Sequence, residues 1–201
     1  GAVQEALGGA DQAVTAARLW TRALGGGPDD GAAGPDLDAA RAHLEECGQP
    51  DGFATVLAVA DVRASVQVAQ VVAEELGAIG IQVEVLPLAP GSFYAPDVGN
   101  PDGVAANGYG LVLATTTPDF PTAESLLAPL VDGRAIRSVG NSNWARLDDP
   151  GIRELVDAAR AAGRVVVAHA RVVVTAAGYL NRPRFPDITG RETFDGISIH
   201  S

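Results

Sequence analysis

What this chain of 201 residues lacks already restricts its chemistry. It has a single cysteine, Cys47, so no disulfide can form within it. No apolar run is long enough to span a bilayer. Lysine and methionine are both absent, and all 14 basic residues are arginine. Because the sequence opens at Gly1 and has no methionine, we expect the chain to be a piece of a longer polypeptide.

Aromatic residues and positive charge are also scarce. Aromatics make up 5% of the chain and apolar residues 47%, so the core has to be built mainly from alanine, valine and leucine. The formal net charge is −11. Such an acidic surface repels a nucleic-acid backbone and an anionic lipid leaflet, which argues against both as partners. A cationic or zwitterionic ligand remains compatible with it.

Motifs of the common enzyme classes are missing from the sequence. It has no phosphate loop, no dinucleotide-binding fingerprint and no Gly-x-Ser-x-Gly sequence around a nucleophile. The histidines, His43, His169 and His200, are far apart, and none has a partner at metal-ligand spacing. Cys47 lies on the apolar face of a predicted helix, which predicts a buried, unreactive thiol. We therefore predict no enzyme activity, no bound metal and no cofactor.

Hydrophobic periodicity predicts an α/β fold in which helices flank a mixed sheet. Helices are predicted at 36–47, 63–78, 121–130 and from 150 onward, and strands at 54–60, 81–86 and 111–115, all three in one sheet. The proline-containing segment between the last two strands is predicted as a loop, and antiparallel or edge strands are predicted beyond residue 163. Residues 1–35 are predicted to hold glycine-rich loops at 1–9 and 25–35 around a helix at 11–24.

Individual residues predict where these helices begin and end. Asp36 can cap the first of the amphipathic helices, and Gly48 can stop it. Gly80 is predicted to take a left-handed conformation that ends the next helix and lets a strand begin at once. Asp149 is predicted to cap the helix that starts at residue 150.

Several segments in order along residues 36–200 resemble the C-terminal lobe of family 5 extracytoplasmic solute-binding proteins of ABC transporters, the peptide, dipeptide and nickel group. The segments are Gly52–Pro87, which contains Leu-Gly-Ala-Ile-Gly-Ile-Gln-Val at residues 76–83, then Tyr109–Leu130, Gly140–Ile152 and Tyr179–Gly196. The last of them is similar to actinobacterial members. One departure is clear, because the family usually has a tryptophan just before a Pro-Asp pair, where this chain has Thr115–Thr117.

The resemblance implies one lobe of a type II periplasmic-binding-protein fold at residues 36–201. It further implies a protein that closes on a peptide-like or other small polar solute and delivers it to an ABC permease. The expected location is extracytoplasmic, as a cell-surface lipoprotein whose lipid anchor lies outside this chain.

Asp119 is the first candidate for contact with the solute. It follows the carboxyl end of a predicted strand, where ligands collect in open α/β sheets. The resemblance implies that it pairs with the ligand's ammonium group, and the alternative is that it caps the following helix. Thr116 and Thr117 could donate hydrogen bonds to the same ligand, or they could be ordinary residues at a strand end.

A second set of candidates lies in the polar loop before the last predicted helix. Asn141, Asn143 and Trp144 are placed where this loop could reach the ligand cleft. Trp144 could stack on a ligand, or it could anchor the loop by partial burial.

Two other functions remain open on the sequence. The same type of domain can sense a ligand for a transcription regulator, in which case a helix-turn-helix would be found elsewhere in the polypeptide. A small α/β hydrolase or transferase would instead need an acid, a base and a nucleophile in mutual contact, and the sequence offers no such set.

Overall fold

A computed structural model of the chain describes residues 1–13, 34–120 and 122–162. At its centre are three parallel strands, β1 (Ala54–Ala60), β2 (Gln82–Leu88) and β3 (Tyr109–Leu113), in the order β2-β1-β3. The prediction that these segments share one sheet is confirmed. Strand β1 has the predicted bounds, whereas β2 begins one residue later and ends two residues later than predicted, and β3 begins and ends two residues earlier. The antiparallel or edge strands predicted beyond residue 163 lie outside the described residues.

Seven helices and two short helical turns occur in the described residues. The helices are α1 (Ala2–Ala6), α2 (Leu37–Glu46), α3 (Arg63–Gly77), α4 (Pro90–Ser92), α5 (Pro101–Ala106), α6 (Ala123–Val131) and α7 (Pro150–Ala162). A π-helical turn, Phe93–Asp97, follows α4, and a 3-10 turn, Gly133–Ala135, follows α6. Within the described residues, no helix has both the length and the apolar content needed to cross a membrane.

Two segments predicted as loops contain helices instead. Residues 2–6 form α1 because Val3 and the following Leu7 pack against the core beside α3. The segment between β2 and β3 was expected to be irregular because of its prolines, but Pro90 and Pro101 each occupy the first turn of a helix, where a missing N–H does no harm. The helix predicted at 11–24 and the loop at 25–35 fall mostly outside the described residues, as does the whole tail.

The connections place a separate core on each face of the sheet. Helix α3 connects β1 to β2 across one face, whereas α4, the π turn and α5 connect β2 to β3 across the other. Because the two crossovers run in opposite directions along the sheet, lying on opposite faces gives them the same hand. The core under α3 contains Leu57, Val59, Val68, Ala69 and Leu113. The core on the opposite face contains Ala58, Phe93, Val98 and Val104.

The predicted helix boundaries are largely confirmed. Asp36 caps α2 by accepting a hydrogen bond from the Ala39 N–H at 2.9 Å, and Asp149 accepts one from the Ile152 N–H at 3.1 Å. Gly80 has a φ of +92°, the left-handed conformation predicted for it. The turn is crowded, because a Cβ on Gly52 would overlap the Gly80 carbonyl group.

The prediction for Cys47 is wrong. Helix α2 ends at Glu46, so Cys47 lies one residue beyond it, and its side chain is exposed. Leu44 is the one residue of α2 that is buried, which shows that the contact between this helix and the core is narrow. A cysteine at the end of such a helix is therefore not covered, although its spacing places it on the apolar side.

Candidate ligand-binding site

The carboxyl edge of the sheet is where the candidate residues gather. Val59 of β1 is paired with both Pro87 of β2 and Leu113 of β3, so all three strands reach this edge within a residue or two of one another. The chain leaves β3 at Ala114, and α6 begins at Ala123. Ligands of open α/β sheets bind at this kind of edge, outside the ends of parallel strands.

Asp119, Thr116 and Thr117 are all exposed in the segment that follows β3, which we call the edge loop (residues 114–122 apart from Pro121). Asp119 does not cap α6. The cap is Thr122, whose hydroxyl accepts a hydrogen bond from the Ser125 N–H at 3.2 Å. Within the part of the chain that the structure describes, the Asp119 carboxylate makes no hydrogen bond or ion pair and is left available to a ligand.

Phe120 and Asp61 also lie at this edge, although neither was identified from the sequence. Phe120, next to Asp119, is 69% exposed, and its backbone N–H donates to Ser125 Oγ at 3.0 Å. Asp61 directly follows β1, and its backbone N–H donates to the carbonyl of Leu88, the last residue of β2, at 2.7 Å. In the sequence, an acidic residue directly after the apolar run 54–60 was the signal that could have revealed it.

Tyr94 is a further residue that the sequence analysis missed. It belongs to the π-helical turn after β2, and its hydroxyl lies 2.8 Å from Thr115 Oγ1. The same oxygen accepts a hydrogen bond from the Thr115 N–H at 3.1 Å. Parallel strands end at a common edge, so an aromatic residue shortly after β2 is well placed to meet the end of β3, but the contact depends on the order of the strands.

The structure places Asn141 and Asn143 in the interior of their loop. They are 2% and 0% exposed, respectively. Asn143 Nδ2 donates to the Leu147 carbonyl at 2.8 Å, and its Oδ1 accepts from the Leu147 N–H at 2.9 Å. Asn141 Nδ2 donates to the Asn143 carbonyl at 2.8 Å. Because these amide groups are occupied within the loop, their placement favours a role in shaping it over direct contact with a ligand.

Trp144 is partly buried and packs against the core that contains Phe93 and Val98. Its ring lies 6.3 Å from that of Tyr94, at an interplanar angle of 52°. The indole Nε1 is buried and has no hydrogen-bond partner among the described residues. This placement agrees with the anchoring alternative, and it brings the loop of Trp144 against Tyr94.

An ion-pair network joins α6, the 3-10 turn and α7. Arg134 Nη2 lies 2.8 Å from both Asp132 Oδ2 and Asp157 Oδ1. Arg160 Nε adds a contact of 2.9 Å to Glu124. The hydrogen bonds from Arg134 hold the pKa of Asp132 below its usual range, against the effect of burial, and Arg134 lowers the pKa of Asp157 in the same way. Among the described residues, no group of three or more His, Cys, Asp or Glu side chains is arranged to hold a metal ion.

Solved structures of binding proteins share this fold. The clavulanic acid biosynthesis oligopeptide binding protein 2 is 36% identical over 78% of this chain and superposes with a TM-score of 0.70. DppA from Helicobacter pylori, in complex with the peptide STSA, is 21% identical over 62% of this chain, with a TM-score of 0.52. AgaA from A. tumefaciens R10, in complex with agropinic acid, is 21% identical over 63%, with a TM-score of 0.51. No curated protein matches the sequence.

The chain spans only part of these proteins, with 30%, 23% and 24% of their respective lengths covered. Their shared architecture is that of one lobe of a type II periplasmic-binding-protein fold, as the sequence predicted. The sequence model of the middle part of bacterial extracellular solute-binding proteins, family 5, matches residues 2–138, which is more than half of the chain. With this match and the shared fold, the chain belongs to family 5 of the bacterial extracellular solute-binding proteins.

Proposed function

We propose that the chain supplies one lobe of the solute-binding protein of an ABC importer. The observation that carries the proposal is Asp119, an exposed carboxylate without a partner in the described residues, on a loop at the carboxyl edge of the sheet. In a family of two-lobed binding proteins, such a group is free to contact a solute when the lobes close on it. The protein acts by binding and not as an enzyme, and it hands the solute to a membrane permease.

The solute we propose is peptide-like and carries a positive charge where it meets this lobe. The relatives whose solutes are named bind oligopeptides, the peptide STSA and agropinic acid. The net charge of −11 and the free Asp119 carboxylate both favour an ammonium group over an anionic one. Thr116 and Thr117, which are exposed beside Asp119, supply hydroxyl groups to the same solute.

The buried residues of the neighbouring loop have a different task in this proposal. Asn141 and Asn143 fix the loop through internal hydrogen bonds, and Trp144 anchors it on the core. We propose that the protein works outside the cytoplasm, where family 5 proteins act, and that a lipid anchor beyond this chain holds it to the cell surface.

The test is a calorimetric titration of a protein that contains both lobes, using short peptides that include Ser-Thr-Ser-Ala and its N-acetylated form. If Asp119 pairs with the peptide's ammonium group, Asp119→Asn weakens binding by about 2–5 kcal/mol, because a buried charge is left unpaired. Acetylation removes the same charge, so its effect in the Asp119→Asn variant is much smaller than in the wild type.

Asp51→Asn is the matched control. Asp51 is also exposed, but it precedes β1 and therefore lies at the amino edge of the sheet, away from the edge loop. Asp51→Asn should bind the peptides as the wild type does. Equal affinity in wild type and Asp119→Asn would remove Asp119 from the site.

A further inference from the structure

Tyr94 connects the two loops that carry the candidate ligand residues. Its hydroxyl is hydrogen-bonded to Thr115 twice, at 2.8 Å to the side chain and 3.1 Å to the backbone N–H. Its ring lies against Trp144, with the ring centroids 6.3 Å apart. Thr115 begins the exposed part of the edge loop, and Trp144 anchors the loop that contains Asn141 and Asn143.

The hydrogen bond from the Thr115 N–H to the Tyr94 hydroxyl forms just beyond the end of the sheet. The last pair between β1 and β3 is Val59 with Leu113, so Thr115 lies beyond the final rung of the ladder. The Tyr94 hydroxyl replaces the missing strand partner of the Thr115 N–H. With the side-chain hydroxyl held as well, both the position of Thr115 and the direction in which the chain leaves it are fixed.

Tyr94 is itself held firmly enough to set this direction. The adjacent Phe93 is fully buried in the core, and the two rings meet edge to face with centroids 4.9 Å apart and an interplanar angle of 87°. Both residues belong to the π-helical turn, which is closed by a hydrogen bond of 2.9 Å from the Val98 N–H to the Phe93 carbonyl. π-Helical turns are rare and recur at functional sites. Tyr94 as a residue is 41% exposed, so it is not enclosed in the core as Phe93 is.

We propose that Tyr94 is a positioning residue for solute binding: through Thr115 it fixes the edge loop from which Thr116, Thr117 and Asp119 contact the solute. The effect of Tyr94 on solute affinity rests on the function proposed above. Its effect on the conformation of the edge loop does not depend on that function. A loop that is already ordered loses less freedom when the solute binds, so the hydroxyl of Tyr94 raises affinity without having to touch the solute.

Amide hydrogen exchange tests the control of the loop. In Tyr94→Phe, which keeps the ring and removes the hydroxyl, the Thr115 amide loses its acceptor, and its exchange should accelerate about two- to tenfold, the factor equivalent to one net hydrogen bond. Amides of β1 should exchange as in the wild type. Tyr109→Phe is the matched control, because Tyr109 lies in β3 and its hydroxyl makes no hydrogen bond with the described residues. Unchanged exchange at Thr115, or equal acceleration at Thr115 and in β1, would overturn the proposal.

Binding then tests the consequence in the two-lobed protein, with Ser-Thr-Ser-Ala and the other short peptides as probes. Tyr94→Phe should weaken the affinity about three- to tenfold, the range expected for ordering one more side chain, and Tyr109→Phe should not change it. A Tyr94→Phe variant with a loosened loop and wild-type affinity would contradict the positioning role. A wild type that binds no peptide would count against the proposed function, while the exchange measurement still decides whether Tyr94 holds the loop.

Discussion

Asp132 offers the sharpest test of what stabilises the lobe. Its carboxylate is 4% exposed and lies between α6 and the 3-10 turn. It accepts hydrogen bonds from Arg134 Nε at 2.9 Å and Nη2 at 2.8 Å, and from the Arg134 backbone N–H at 3.0 Å. The same guanidinium group also binds Asp157 of α7. Asp132 therefore links the end of α6 to α7 through one arginine.

We expect Asp132→Asn to lower the free energy of unfolding by about 2 kcal/mol, because hydrogen bonds to charged groups contribute about 1.5–3 kcal/mol each and the amide keeps part of them. In a chain of this size that corresponds to a fall in melting temperature of about 4–8 °C. Asp157→Asn is the control. Its side chain is 56% exposed, so solvent and salt screen its pairing with Arg134, and its removal should change stability far less.

The stabilisation that the Asp132 carboxylate contributes should also decrease as the pH falls. Hydrogen bonds from Arg134 lower the pKa of Asp132 in the folded state, so the folded chain binds this proton less readily than the unfolded chain. The stabilisation is then present above the unfolded pKa, about 3.9, and is lost as the pH falls through the folded pKa. The free energy of unfolding can be measured at each pH from 7 to 3 by urea unfolding, monitored by far-UV circular dichroism. The wild type should lose more stability on acidification than Asp132→Asn. Equal unfolding midpoints for Asp132→Asn and wild type at pH 7 would refute the reasoning.

Further predictions concern the turns, the cysteine and the isolated chain. Gly52→Ala should lower the free energy of unfolding by at least about 2 kcal/mol in thermal unfolding, because the added Cβ would meet the Gly80 carbonyl. Gly48 has a similar φ of +74° but open space around it, so Gly48→Ala should lower the free energy of unfolding by only about 1 kcal/mol. Thr122→Ala should lower the free energy of unfolding by about 1 kcal/mol, because it removes the cap of α6. Wild-type stability in that variant would show that the cap does not stabilise the chain. Cys47 should react with Ellman's reagent in native buffer at the rate of a free thiol, and protection from it would contradict its exposure. This chain alone should bind peptides weakly or not at all, since one lobe supplies only part of the contacts, and full-strength binding would contradict the two-lobe proposal.

The sequence by itself was enough to predict the sheet and most of the helices around it. The three strands, the helix from Arg63 to Gly77 and the capping residues Asp36 and Asp149 were all identified from local signals. Such signals act over a few residues, as periodicity of apolar side chains or as a side chain that can reach a nearby N–H. The left-handed conformation of Gly80 could also be predicted from a local signal, because it depends only on where one helix ends.

Only the tertiary structure decided which side chains surround the carboxyl edge. Asn143 and Asp119 are both polar loop residues in the sequence, yet one is fully buried and the other is exposed without a partner in the described residues. Cys47 is exposed because α2 has little contact with the core, which the spacing along one helix cannot reveal. Tyr94 meets Thr115, 21 positions away, only because β1 separates β2 from β3 and the crossover between them lies on one face. These features depend on the order of strands and on contacts between distant segments, which no local pattern encodes.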